Sequence, residues 1–545
     1  MSRSPLVAIL LLLPLGLGAL SAESGHAGEE LGAVSFPVSC RPELLPAFER
    51  AVALQHSFEF AAARQGFERV AADDPACAMA QWGIAMSLYH PLWAAPTADE
   101  LQQGLRASER ATALGAAAGV SARERGFIAA MASFWNDAGT ADHKTRSARY
   151  RDAMGELSRR FPDDPEAAIF YALAILGTAS PTDPEHLQQK QAAGILGAWL
   201  ARLPNHPGIT HYSIHAFDSP ELAYLGLDAA RRYARIAPAS GHALHMPSHI
   251  FVRLGLWPEA IASNLDAAAA EHAIAARAGS GRATIEEVHA LDYLEYAYLQ
   301  IGDDERARGV LQRAADVKAV NEAAIQAAYG LVAIPARFAL ERRQWAEAAA
   351  LVLPAKLGVD WEAFPHIVAI HAYAQAVGAA RTGDLPAAEA AVTRLGELQK
   401  RLVQAPPPGP YIWSTNVEAL RLTAAGCLAQ ARGDAAAALA LLREGAELAD
   451  KAGKHPVTPS TVLPQRELLA DLLLDLGRPD EALREYEASL AVAPNRLHAL
   501  AGAARAADLL GETRRARTFA NLLDALAVPG STRPEVVATR KLLGD

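Results

Sequence analysis

Aromatic side chains are scarce in this chain, at 6% of 545 residues, and the β-branched residues that fill sheets are few beside the abundant Ala and Leu. That balance argues against a sheet-rich fold and for helix, where Ala and Leu lose little freedom. A basic surface is also missing. Lys and Arg number 51 against 61 Asp and Glu, a formal charge of −10. The charges are interspersed, as in GDDERARGVLQR from Gly302 to Arg313, which excludes the basic stripe that binds nucleic acid. No phosphate-binding glycine loop, nucleophile elbow, CxxC pair or HExxH is present, so a familiar hydrolase or nucleotide enzyme is disfavoured. With 51% apolar and 21% charged residues the chain nevertheless has ample material for a folded core.

Long apolar runs are absent too, except at the start. Arg3 precedes an apolar stretch from Leu6 to about Leu20, with small residues at Ala19, Ser21 and Ala22. Residues 1–22 read as a secretory signal peptide, which places the mature protein in the periplasm or outside the cell, without a transmembrane segment. A membrane anchor is the alternative, disfavoured by the short run and by the lack of basic residues after it. Residues 23–41 then form an N-terminal extension. Three cysteines in an exported chain leave one unpaired. Cys40 precedes the first helix and Cys77 opens the second hairpin, so a Cys40–Cys77 disulfide is expected, with Cys427 a buried thiol.

Self-similarity is the strongest signal. In LPQRELLADLLLDLGRPDEALREYEASLAVAPN, small residues at Ala470 and Ala482 allow two helices to approach, Gly477 turns the chain, and Pro494 ends the second helix. Turn glycines recur at Gly255, Gly302, Gly383, Gly433 and Gly511, and Arg343 stands where a further one is due. With Leu469, Leu473 and Tyr486, this pattern resembles the tetratricopeptide repeat family. DPACAMAQWGIAM, HALHMPSHIFVRLGLW and KHPVTP also resemble exported bacterial tetratricopeptide proteins of undetermined function. The resemblance implies an all-α, right-handed α-solenoid superhelix of about a dozen helical hairpins. It would run over residues 42–403 and continue through 411–526, with the prolines of 404–410 as a bend and 527–545 as a C-terminal tail.

In that family the first helix of each hairpin lines a concave groove. Laying its groove positions onto this chain selects His242, His245, His249 and Arg253 before Gly255, and His289, Asp292 and Tyr296 before Gly302. His56 falls on a groove position of the first hairpin. His211 and His215, four residues apart, share a face of the preceding hairpin. Five histidines fall between His211 and His249, where an even spread of all 17 would leave roughly one. Neutral imidazoles at i,i+3 and i,i+4 spacings can converge on one ion. His211, His215, His242, His245, His249, His289 and Asp292 are therefore candidate ligands for Zn, Cu or Fe. The plainer reading of the same residues is amphipathic packing with both ring nitrogens hydrogen-bonded. Pro247 requires the helix to restart there, with His249 just inside it. The loop containing Lys454, His455 and Thr458 could close over one groove end.

Two functional readings follow. One is a scaffold holding a peptide or protein partner in the groove, with Arg253, Tyr296 and His56 among the contacts. The other is a metal-dependent enzyme built on the histidine cluster.

Overall fold

A computed structural model describes residues 30–92, 95–180, 183–355, 358–407 and 411–544. The expected signal peptide and Pro408 to Pro410 of the expected bend lie outside them. The described chain is all-α, and its one β feature is an isolated bridge between Ala283 and Val320. Successive helices pack as about a dozen hairpins in one continuous α-solenoid.

The local rules are visible at the turns. Gly255, Gly302, Gly383, Gly433, Gly477 and Gly511 all take positive φ, between 63° and 84°, a region that costs residues with a Cβ roughly 1–2 kcal/mol. Arg343, standing in the glycine's place, adopts φ 56°. Ala470 and Ala482 are fully buried between their helices. The second helix of that hairpin, Pro479–Val492, stops two residues short of Pro494.

The solenoid curls until its ends touch its middle. The indole of Trp257 donates to the Asn495 carbonyl at 2.9 Å, the Val528 amide to the Ile301 carbonyl at 2.9 Å, and the Ser531 hydroxyl to the Gly302 carbonyl at 2.8 Å. Within the expected C-terminal tail, residues 527–544 carry the helix Pro534–Leu543 and pack into this closure. Arg496, fully buried, lies 2.6 Å from Glu341, 2.5 Å from Glu467 and 2.9 Å from the Tyr296 hydroxyl. From the other end, the segment leading to the first helix inserts Phe36 among Phe48, Trp82 and Phe127. Its Ala33 amide reaches the Asn205 carbonyl. Cys40 and Cys77 are joined in a disulfide that ties this segment to the start of the helix Ala78–Ser87. Cys427 is a buried free thiol.

Candidate metal centre

Four short pieces of chain carry the histidines. His211 and His215 lie one turn apart on Pro207–Phe217. His242 and His245 occupy the one-turn helix Gly241–His245, started by the Ser240 side chain accepting from the Ala243 amide. A new helix, Pro247–Arg253, follows at once with Pro247 at its first position and His249 inside it. His289 lies on Ile285–Gln300.

The six imidazoles gather into two groups of three. In the first, the His211 Nε2 lies 3.1 Å from His215 Nε2 and 3.1 Å from His242 Nε2. In the second, His245 Nε2 and His249 Nε2 are 3.1 Å apart, and His289 offers a ring nitrogen within 4.8 Å of both. His242 and His245, three residues apart on one helix, place the groups side by side.

Hydrogen bonds at the far ring nitrogen fix the tautomers. His211 Nδ1 donates to the His56 carbonyl at 2.6 Å, and His249 Nδ1 donates to Asp218 at 3.0 Å. His245 Nδ1 donates to the Asn264 side-chain oxygen at 2.7 Å, an orientation set by the Asn264 amide nitrogen donating to the Ala260 carbonyl. A neutral imidazole with its proton on Nδ1 presents only a lone pair at Nε2. Hence His245 and His249 point two bare nitrogens at each other, and the single lone pair of His211 faces two imidazoles at equal distance.

Burial keeps these rings neutral. It is the largest influence lowering His211, His245, His249 and His289; neighbouring imidazoles lower them further, and at His249 the Asp218 carboxylate opposes the shift without reversing it. His215, the one half-buried member, is pushed down to about 3 by burial and by His242 and His249. Burial alone would raise the carboxyl of Asp218, but Lys454, Arg253 and the bond from His249 outweigh it and hold it well below the carboxylate range. Arg253 Nε donates to Asp218 at 2.8 Å. Lys454, from the loop that closes over this end, lies 3.8 Å from the same oxygen and donates to the Thr458 carbonyl.

Aromatic rings wall both groups. Phe58 stacks on His215 and His242 at 5.5 and 5.6 Å and meets His211 edge-on at 4.4 Å. It does so from φ 56°, strain that the surrounding packing sustains. Tyr293 packs against all three rings of the second group.

Several sequence expectations need correction. Asp292 does not join either histidine group: one of its carboxylate oxygens faces the buried Arg337 Nη1 at 2.6 Å. Tyr296 and Arg253 do not line an open groove; Tyr296 is buried against Trp257 and Arg496, and Arg253 is taken by Asp218. His56 is wholly buried, with Nδ1 at 2.9 Å from the Tyr212 hydroxyl and Nε2 at 2.9 Å from Glu166. His206 meets the other Glu166 oxygen at 2.9 Å and accepts from the Ile209 amide. Every nitrogen of that trio has a complementary partner. The residues missed by sequence reasoning are Asp218, Asn264 and Tyr293. Asp218 follows His215 by three residues and Tyr293 follows His289 by four, so helical spacing pointed to both; Asn264 left no such trace.

No protein-family model and no curated protein matches the chain. Among solved structures, a monomeric mutant of IFIT1 bound to Gppp-AAAA is similar at 12% identity and TM-score 0.40, over 83% of this chain and 90% of that one. The human IFIT1 dimer with m7Gppp-AAAA gives 12% and 0.37. The anaphase-promoting complex assembly Cut9–Hcn1 gives 12% and 0.31, over 92% of this chain and 90% of that one. Similarity at this level carries no weight for function, and the architecture rests on the helix packing described above.

Proposed function

We propose that this chain is an exported helical solenoid whose centre holds a transition-metal site formed by His211, His215, His242, His245, His249 and His289. One observation carries the reading: the Nε2 lone pairs of His245 and His249 face each other at 3.1 Å in the buried interior, with both Nδ1 protons committed elsewhere. Two lone pairs at that separation repel unless a cation lies between them. Nitrogens about 2.1 Å from a common ion stand about 3.0 Å apart at right angles and about 3.4 Å apart in a tetrahedron, which brackets the observed spacing. Six imidazole donors favour Zn²⁺ or Cu²⁺ over harder ions.

The chain's own residues supply the rest. Asp218, Asn264 and the His56 carbonyl orient three imidazoles, as outer partners of metal-ligating histidines do. Phe58 and Tyr293 exclude water. The half-buried His215 leaves the first group approachable, which favours a metal-dependent enzyme over simple storage. A bound ion there would supply Lewis acidity to a small ligand. The scaffold reading has less support along this stretch, since Arg253, Tyr296 and His56 are consumed by internal contacts. The Cys40–Cys77 disulfide suits an oxidising compartment outside the cytoplasm.

Metal analysis of protein purified without a histidine tag tests the proposal. Stoichiometric Zn or Cu is expected, with the share held by the second group lost in His245→Ala/His249→Ala while helical content by circular dichroism is kept. Full retention of metal in that variant would remove the proposed ligand set.

A further inference from the structure

The two histidine groups differ in what stands beside them. Next to the first are Phe58, a hydrocarbon ring, and Tyr233, whose ring stacks on His211 at 5.1 Å. Next to the second is Tyr293, whose hydroxyl oxygen lies 3.4 Å from His249 Nε2, the nitrogen whose lone pair faces His245. That separation is long for a hydrogen bond and suits two donors placed side by side around one ion. Tyr293 is fully buried. Its ring centroid lies 4.8 Å from His245, 5.1 Å from His249 and 5.2 Å from His289. One turn separates it from His289 on Ile285–Gln300, so both side chains leave the same helix face toward the same point.

We propose that Tyr293 is the fourth donor of the second group, making the two faces unequal: a closed one of His245, His249, His289 and Tyr293, and an open one of His211, His215 and His242. The inference rests on the metal reading above. Binding at the closed face exchanges the phenolic O–H bond for an oxygen–metal bond and releases one proton. Burial of all four donors closes this face to exogenous ligands, and exchange with solvent takes place at the His215 side of the other. Asp218, with Arg253 and Lys454 behind it, fixes the closed face from outside.

Untagged full-length protein loaded with Cu²⁺ provides the test. A phenolate-to-copper charge-transfer band in the visible is expected, and resonance Raman excitation within it should show phenolate ring modes. Tyr293→Phe, nearly isosteric, should lose the band, keep two coppers per chain and hold one of them roughly tenfold more weakly. Tyr296→Phe should leave the band unchanged. Copper bound without band or ring modes, or a band that survives Tyr293→Phe, overturns the role of Tyr293 and leaves the histidine site standing. Failure of the wild-type protein to bind copper overturns both.

Discussion

Asp218→Asn is the most informative single substitution, because one carboxylate serves three groups. It accepts from His249 Nδ1 at 3.0 Å and Arg253 Nε at 2.8 Å, and it lies 3.8 Å from Lys454 Nζ. The amide keeps the shape and removes the charge. Two cations whose side chains are only 10% and 9% exposed then lose their counter-charge. Breaking a fully buried pair costs about 3–5 kcal/mol, and the residual exposure reduces the expected loss to about 2–3 kcal/mol. Lys454, already lowered to about 7 by burial and Arg253, falls further without Asp218 and sheds its proton at neutral pH. His249 loses the partner that holds its proton on Nδ1, and metal affinity should drop roughly 10- to 100-fold. Competition against a chelator of known affinity measures the second effect, and thermal or denaturant unfolding the first. Adding Lys454→Met should recover part of the stability and none of the affinity, which separates positioning from folding. Affinity within threefold of wild type in Asp218→Asn would refute the claim that this carboxylate orients His249.

The closure of the solenoid makes a second target. Arg496→Met leaves Glu341 and Glu467 buried without their shared cation, and a loss of about 3–5 kcal/mol is expected in denaturant unfolding; an unchanged midpoint would show that the fold-back contributes little. His498 offers a pH signature away from the metal site. Burial and Arg343 oppose its charge, but Asp471 and Glu535 prevail and raise it to about 9. A raised value means the folded protein holds the proton more tightly than the unfolded chain. Its stabilising contribution is therefore complete below about pH 6.5 and is lost as pH climbs through about 9. His498→Gln should flatten that decline, read from unfolding midpoints between pH 6 and 9.5.

The hairpin stack was legible because its grammar is local: a turn glycine, two small residues at a helix crossing and a terminating proline each act within a few residues of themselves. The curling of Arg496, Val528 and Ser531 back onto the Tyr296–Gly302 region was not, since nothing near Gly302 announces a partner two hundred residues away. The histidines divide along the same line. Their types and helical spacing were readable, and so was the restart at Pro247. The pairing of Asp292 with Arg337 was not readable, because a carboxylate on the right face carries no mark of which cation it will meet, and Arg337 lies on another hairpin.

The three histidines around Pro247 face two ways. On one unbroken helix, His242, His245 and His249 follow the i, i+3, i+7 pattern of a single stripe and would aim at one place. Proline has no N–H to continue the ladder, so the chain forms the one-turn helix Gly241–His245 and then Pro247–Arg253. His242 turns to His211 and His215, while His245 and His249 turn to His289. A tetratricopeptide-like groove helix would offer three imidazoles to one ion. Here the division falls between His242 and His245, on the same one-turn helix, while His245 and His249, on either side of Pro247, share a group.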